Sequence, residues 1–158
     1  LITPDMVRDG QSTLAEAIRL NGWPSLKNTR GKVMLVLFGP AHVTSLYLND
    51  HPSLEGRPLF VAGHAGEPCA SVFSLDSPTN PLVKKLLRTG CIVRTRSDAN
   101  LLIDESNPTA RRDAAFTCGA QIISTDFPSG EADPKTGFEV TFPKGAVSRS
   151  NPVTASSN

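Results

Sequence analysis

Short apolar runs alternate with helical stretches along the chain, and this alternation restricts its fold more than any other feature. Four of the runs are predicted to be buried strands: residues 32–38, 58–62, 90–98 and 120–124. Continuous apolar strands separated by helices are typical of parallel sheets that helices cover. The order of elements therefore predicts an α/β protein, built as a barrel or as a doubly wound sheet.

Capping residues mark where the helices begin and end. Thr3 before Pro4 predicts a short first helix, and Thr13 with Glu16 has the spacing of a capping box. Gly119 is predicted to end the last helix in a left-handed conformation. The predicted helices cover residues 4–8, 14–21, 41–48, 67–73, 80–90 and 107–119. Residues 23–31 are predicted to be a loop, and 138–142 a strand-like piece.

The length of 158 residues fits one domain with a hydrophobic core. A complete eight-fold barrel needs about 250 residues, so this chain would supply only about half of one. We expect residues 1–147 to form a partial barrel and residues 148–158 to form a polar tail. Because the chain opens with Leu1 rather than Met, we also expect a processed protein or a fragment.

Composition and charge exclude some partners. The net charge is +1, and no basic run is interleaved with aromatic residues, which argues against nucleic-acid binding. No apolar run approaches the roughly 18 residues of a transmembrane helix. Cys69, Cys91 and Cys118 have neither zinc-site spacing nor a disulfide pattern, so they are predicted to be small core residues. The compartment stays open, secretion included.

Two arginines lie on the same face of the third predicted strand. Side chains alternate in a strand, so Arg94 and Arg96 share a face with Ile92. A buried guanidinium needs a carboxylate, water or an anion beside it, and its planar fork of donors suits phosphate. We predict that Arg94 and Arg96 bind a substrate phosphate. The alternative is that they pair with Asp98 and Asp126 or reach water at a rim.

Asp98 and Asp126 each follow a predicted strand closely. Parallel strands would bring both to one rim, where carboxylates can orient the arginines or bind a divalent cation. Helix capping or solvation at the rim is the alternative role. Lys32 begins its strand and should therefore lie at the opposite, structural end.

The histidines offer weaker candidates for chemistry. The sequence contains no Gly-rich phosphate loop, no nucleophile elbow and no His-x-x-x-His metal pair. His64 lies in the loop after the second predicted strand, on the side where barrel enzymes hold their catalytic residues. Most loop histidines are inert, so a structural role is the favoured interpretation of His64. His42 and His51 lie near helix ends and are weaker still.

Several stretches together resemble the calcium-dependent phosphoinositide phospholipase C family of bacteria and fungi. The strongest are residues 92–99 (IVRTRSDA), 111–116 (RRDAAF) and 119–128 (GAQIISTDFP). Residues 1–5, 22–24, 31–33 and 148–153 are also similar, so the resemblance runs in order along nearly the whole chain. Residues 124–128 alone would equally suit glycerophosphodiester phosphodiesterases, which share the barrel superfamily.

The resemblance implies the C-terminal half of a TIM-like barrel that cleaves phosphodiesters. The family uses a pair of histidines as acid and base, and calcium to stabilise charge on the phosphoryl group. The resemblance places those histidines and most calcium ligands in a first half that this chain lacks. The implied partner is a phospholipid head group or another phosphodiester, with peripheral membrane contact.

The chain also departs from the family pattern. Phe38-Gly39 stands where the family tends to have Asp-Asn, Asn100 where it has Asp, Phe127 where it has Tyr, and Ser150 where it has Cys. Three functions stay open: half of a phospholipase C-like phosphodiesterase that is inactive alone, a non-catalytic member that keeps an anion site, and a glycerophosphodiester phosphodiesterase. The loss of an acid at Phe38 favours the second.

Overall fold

The computed structural model describes residues 1–99, 103 and 106–153. The chain divides into two compact units, residues 1–74 with 88–91 and residues 75–87 with 92–158. Asn100 lies outside the described residues. Each unit mixes helices with parallel strands, which confirms the α/β class.

The first unit consists of short helices and strands. Its helices are α1 Pro4–Arg8, α2 Leu14–Asn21, α3 Leu26–Thr29 and α4 Ala41–Leu48, and its strands are β1 Val36–Leu37, β2 Phe60–Val61 and β3 Val72–Ser74. β1 pairs in parallel with β2. Isolated parallel bridges join Ile2 to Met34 and Ala62 to Val72. These pairings have the parallel direction that the sequence predicts.

Helix α2 contributes a large part of the core of the first unit. The Oγ1 atom of Thr13 accepts a hydrogen bond from the backbone N–H of Glu16 at 3.1 Å, as the capping-box spacing predicts. The buried residues of this helix are Leu14, Ala17 and Ile18. Phe60 of β2 is also fully buried, and burying an aliphatic or aromatic side chain stabilises a fold by roughly 1.5–3 kcal/mol.

The second unit contains most of α5 Leu82–Arg88, together with β4 Ile92–Arg96, α6 Ala110–Thr117 and β5 Ile122–Ser124. β4 and β5 are parallel, with Arg94 opposite Ile122 and Arg96 opposite Ser124. Helix α6 packs against β4. The carboxyl ends of the two strands therefore lie side by side. None of the helices in the described ranges is long and apolar enough to cross a membrane.

Some local predictions are wrong. Residues 67–73, predicted as a helix, lead instead into strand β3, because a short apolar run is ambiguous between helix and strand. The predicted loop over residues 23–31 contains helix α3, which Ser25 caps through a hydrogen bond from the backbone N–H of Asn28. Within the described residues, the strand-like piece at 138–142 is seen only as a bridge between Val140 and Pro128.

The prediction that all four strands are buried is also wrong. Val33, Leu35 and Phe38, in and around β1, are 58%, 45% and 55% exposed, and Ile122 of β5 is 48% exposed. The residues of β2, in contrast, are fully buried. A strand that is apolar on both faces is expected to have other elements packed on both faces. In the described part of the chain, β1 does not have this packing on both faces.

Candidate functional site

Strand β4 carries its two arginines on one face. Val93 and Thr95 are fully buried, whereas Arg94 and Arg96 are partly exposed. Because side chains alternate between the faces of a strand, this pattern confirms that the two arginines share the opposite face. Arg94 is the central residue of β4, and Arg96 is its last residue.

Arg94 pairs with Asp76, a residue that sequence reasoning missed. The Nη1 atom of Arg94 lies 2.6 Å from Oδ1 of Asp76, and the two side chains are 27% and 67% exposed. Arg111 of α6 donates from Nη2 to the carbonyl oxygen of Asp76 at 2.7 Å, which anchors the backbone there. Asp76 follows an apolar run at residues 71–75, and recognising that run as a strand would have placed this carboxylate near the arginines.

Arg96 is held by both predicted carboxylates. Its Nη2 atom lies 2.5 Å from Oδ2 of Asp126 and 3.4 Å from Oδ1 of Asp98. The side chain of Arg96 is 17% exposed and that of Asp126 is 32% exposed. The structure thus brings Arg96, Asp98 and Asp126 together at the ends of β4 and β5.

Asp98 is the buried centre of this group. Its side chain is fully buried, and Oδ2 accepts hydrogen bonds from Oγ1 of Thr125 at 2.5 Å, from the backbone N–H of Asp126 at 3.1 Å and from Oγ of Ser97 at 3.2 Å. A buried carboxylate is costly unless it is paired and hydrogen-bonded, and these donors together with Arg96 meet that requirement. Asp98 therefore ties the end of β4 to the end of β5.

The two arginines differ in how readily they could exchange a partner. A phosphate that displaced Asp76 from Arg94 would release a well-exposed carboxylate into water, at little cost. A phosphate that displaced Asp98 from Arg96 would leave a buried carboxylate without its ion pair, which costs several kcal/mol, roughly 3–5. Arg94 is therefore better suited to bind an anion, and Arg96 to hold the strand ends together.

The histidines lie elsewhere in the chain. His64 follows β2, and its Nδ1 atom lies 2.9 Å from Oε2 of Glu67. His42 is exposed on α4, and His51 follows that helix. Lys32 is exposed and precedes β1. The catalytic role considered for His64 stays a prediction.

The three cysteines are free thiols, and Cys69 and Cys91 are buried, as predicted for core residues, whereas Cys118 is only partly buried. Burial, with a further contribution from the charge of Glu67, raises the pKa of the Cys69 thiol to about 11. Burial also raises the pKa of Cys91. Since the thiolate is the nucleophilic form, neither side chain is a ready nucleophile near neutral pH.

A cavity of about 610 Å³ lies in the second unit. Its lining includes Phe116, Ile122 and Phe142. The guanidinium of Arg149 lies over two of these rings, 5.4 Å from the centre of Phe116 and 5.3 Å from that of Phe142. The arginines of β4 do not line this cavity. The cavity is therefore separate from the arginine face, which is the face of β4 that carries Arg94 and Arg96.

Comparison with known proteins identifies related sequences and a related fold. A sequence model of the Ca²⁺-dependent phosphoinositide phospholipase C family matches residues 1–152. The chain is similar to the solved structure of a Ca²⁺-dependent phosphatidylinositol-specific phospholipase C enzyme from Streptomyces antibioticus, with a TM-score of 0.54 and 20% identity. That match covers 79% of this chain and 52% of the other, so this chain spans about half the length of that structure. No curated protein matches it.

Both the family and the Streptomyces enzyme are described as calcium-dependent. Calcium takes about six to eight oxygen ligands. Asp76, Asp98 and Asp126 each pair with an arginine, and Phe38, where the family tends to have Asp, offers no side-chain oxygen. The aspartates beside Arg94 and Arg96 therefore do not assemble a calcium site.

Proposed function

Because this chain belongs to the calcium-dependent phosphoinositide phospholipase C family, we propose that it supplies the C-terminal half of a TIM-like barrel in a phosphoinositide phospholipase C-like phosphodiesterase. The parallel pairing of strands in both units supports this proposal, as does the match to about half of a phospholipase C chain. In the intact enzyme, the acid and base histidines and most calcium ligands then come from the other half.

The role proposed for this half is contact with the substrate phosphate through Arg94 and Arg96. The observation that carries it is the Arg94–Asp76 pair, a part-exposed guanidinium held by a carboxylate that is 67% exposed. The phosphodiester group of a substrate presents two oxygens to the same planar fork, as a carboxylate does, so it can replace that carboxylate. Asp98 and Asp126 support the site by holding Arg96 and the strand ends.

The proposed substrate is a phospholipid with a phosphorylated head group of the inositol type, as the family description indicates. Contact with the bilayer surface would be peripheral. A non-catalytic member of the family is the second candidate, because Phe38 at the end of β1 is 55% exposed and lacks an acid. Inositol phosphate binding without phosphodiesterase activity in the intact protein would favour that candidate.

Calorimetric titration with inositol 1-phosphate tests the phosphate contact directly on this chain. Arg94→Lys keeps the charge but loses the planar fork, so we expect its affinity to fall about tenfold or more, which corresponds to at least roughly 1.4 kcal/mol. Arg112→Lys is the matched control, because the Arg112 side chain is 28% exposed and pairs with Asp113 on α6. That variant should bind like the wild type.

Thermal unfolding of the same variants, made in the intact protein, separates binding from stability. Arg94→Lys should unfold close to the wild type, since its ion pair with Asp76 is exposed to water and such pairs contribute about 0–1 kcal/mol. Arg96→Lys should lower both affinity and the unfolding temperature. Unchanged affinity in Arg94→Lys and Arg96→Lys would show that both arginines are only structural partners of the aspartates.

A further inference from the structure

The loop after β2 brings together three side chains with different donor atoms. A ring nitrogen of His64, a carboxylate oxygen of Glu67 and the sulfur of Cys69 lie within 4.8 Å of one another. Among the described residues, no other three histidine, cysteine or acidic side chains lie this close together. We propose that His64, Glu67 and Cys69 form a binding site for zinc or a similar divalent transition metal.

The donor set selects the kind of metal. Nitrogen, oxygen and thiolate sulfur together suit zinc, which binds His, Glu and Cys at roughly 2.0–2.3 Å. Calcium and magnesium bind oxygen ligands almost exclusively, and a thiolate disfavours them. The site is thus different in chemistry from the calcium site expected in the other half of the family's barrel.

The backbone of the loop holds these side chains in position. His64 has a φ of +63°, and its neighbour Gly63 has a φ of +100°. The left-handed region is unfavourable by roughly 1–2 kcal/mol for a residue other than glycine, so surrounding contacts must impose this conformation on His64. One such contact is the hydrogen bond from the Gly63 N–H to the carbonyl oxygen of Val72 at 2.9 Å.

Burial divides the three ligands into fixed and adjustable ones. Cys69 is fully buried, whereas the side chain of His64 is 18% exposed and that of Glu67 is 54% exposed. Nitrogen, oxygen and sulfur ligands around a tetrahedral zinc lie roughly 3.3–3.6 Å apart, given the bond lengths above. The 2.9 Å contact between His64 and Glu67 must therefore widen, and a separation near 4.8 Å must shrink by about 1 Å. The partly exposed His64 and Glu67 side chains are the ones free of the core that holds Cys69.

Cobalt and zinc titrations of the metal-free chain test the site. Cobalt is a spectroscopic stand-in for zinc, and a cysteine ligand gives it a thiolate-to-metal absorption band in the near ultraviolet. We expect one equivalent of cobalt to produce this band and one equivalent of zinc to abolish it.

Variants identify the ligands. Cys69→Ser should abolish the band, and His64→Gln and Glu67→Gln should each weaken zinc binding at least tenfold. Cys91→Ser is the matched control, since Cys91 is the other buried free cysteine, and it should bind like the wild type. Circular dichroism of each variant reports whether the fold survives. Because Glu67 is exposed, Glu67→Gln should fold even if Cys69→Ser does not.

Two results would overturn the proposal: no thiolate band at one equivalent of cobalt, or equal zinc affinity in the wild type and Glu67→Gln. The test is independent of the phosphate proposal, because Arg94→Lys should bind zinc as the wild type does. Loss of phosphate binding in that variant with retained zinc binding would support both assignments separately.

Discussion

At the scale of single residues, Asp98 matters most to the arginine face. It is fully buried, and it accepts hydrogen bonds from Ser97, Thr125 and the backbone of Asp126 while lying beside Arg96. Each donor comes from the end of β4 or from the segment after β5. The position of Arg96 therefore depends on a carboxylate that an incoming substrate need not touch.

Replacing Asp98 tests this dependence. Asp98→Ala leaves the hydrogen-bond donors of Ser97, Thr125 and Asp126 without this acceptor and removes one of the two carboxylates beside Arg96, so we expect it to lower the free energy of unfolding by about 3–5 kcal/mol. Asp98→Asn keeps the shape and should cost less. The measurement is urea denaturation of the variants made in the intact protein. Asp113→Ala removes the exposed partner of Arg112 and should change stability much less, because water screens exposed ion pairs. Equal losses in Asp98→Ala and Asp113→Ala would contradict the buried role of Asp98.

Sequence reasoning reached part of this site. The two-residue period of a strand correctly placed Arg94 and Arg96 on one face, because that period is a property of the backbone. The rim formed by Asp98 and Asp126 followed from the parallel direction of the strands. Asp76 was missed because the strand before it was taken for a helix. The loop of His64 was predicted, but its left-handed conformation was not, because positive φ at a histidine has no sequence signal.

At the scale of elements, the end of α6 shows how a glycine fixes a neighbouring segment. Gly119 has a φ of +89°, which confirms the predicted left-handed conformation. Its carbonyl oxygen accepts a hydrogen bond from Nδ2 of Asn151 at 2.7 Å. A Cβ atom on Gly119 would lie 2.6 Å from Cγ2 of Val153 and 2.9 Å from Cδ1 of Leu87. The first residues of the predicted polar tail thus pack against this turn.

A pair of glycine substitutions separates backbone strain from packing. Gly130 has a similar φ of +85° but open space around its would-be Cβ, so Gly130→Ala should cost about 1 kcal/mol. Gly119→Ala adds overpacking and should cost about 2–4 kcal/mol in all, and Gly119→Val more. Urea denaturation of both alanine variants, made in the intact protein, gives the difference. If the two variants lose the same stability, Val153 and Leu87 do not pack against Gly119.

The elements also show where sequence prediction succeeds. Helices α1 and α4 have the predicted bounds, and α2 begins after its predicted cap, because proline and threonine caps act within a few residues. The strands were harder to predict than the helices. Their ends and burial depend on neighbours that are distant in sequence, which is why β3 was missed and the burial of β1 and β5 was overestimated.

At the scale of the whole molecule, the exposed strand residues follow a pattern. Those around β1 are Val33, Leu35 and Phe38, and Ile122 lies in β5, an end strand of its sheet. These strands have the apolar sequence of strands that are buried on both faces. In the described part of the chain, however, no element buries these side chains. The proposed half-barrel accounts for this pattern, because the other half would pair with such strands and enclose their inner faces.

We therefore expect the chain alone to self-associate or to melt without a sharp transition, since exposed apolar strands favour edge-to-edge pairing. Light scattering after gel filtration measures the association, and calorimetry measures the transition. Leu35→Lys places a charge on the exposed strand and should increase the monomer fraction without unfolding the chain. Leu54→Lys is the contrasting variant, because Leu54 is fully buried and a charge there should prevent folding. A monomeric wild-type chain with a sharp two-state transition at high temperature would show that these strands need no further cover, and would count against the half-barrel.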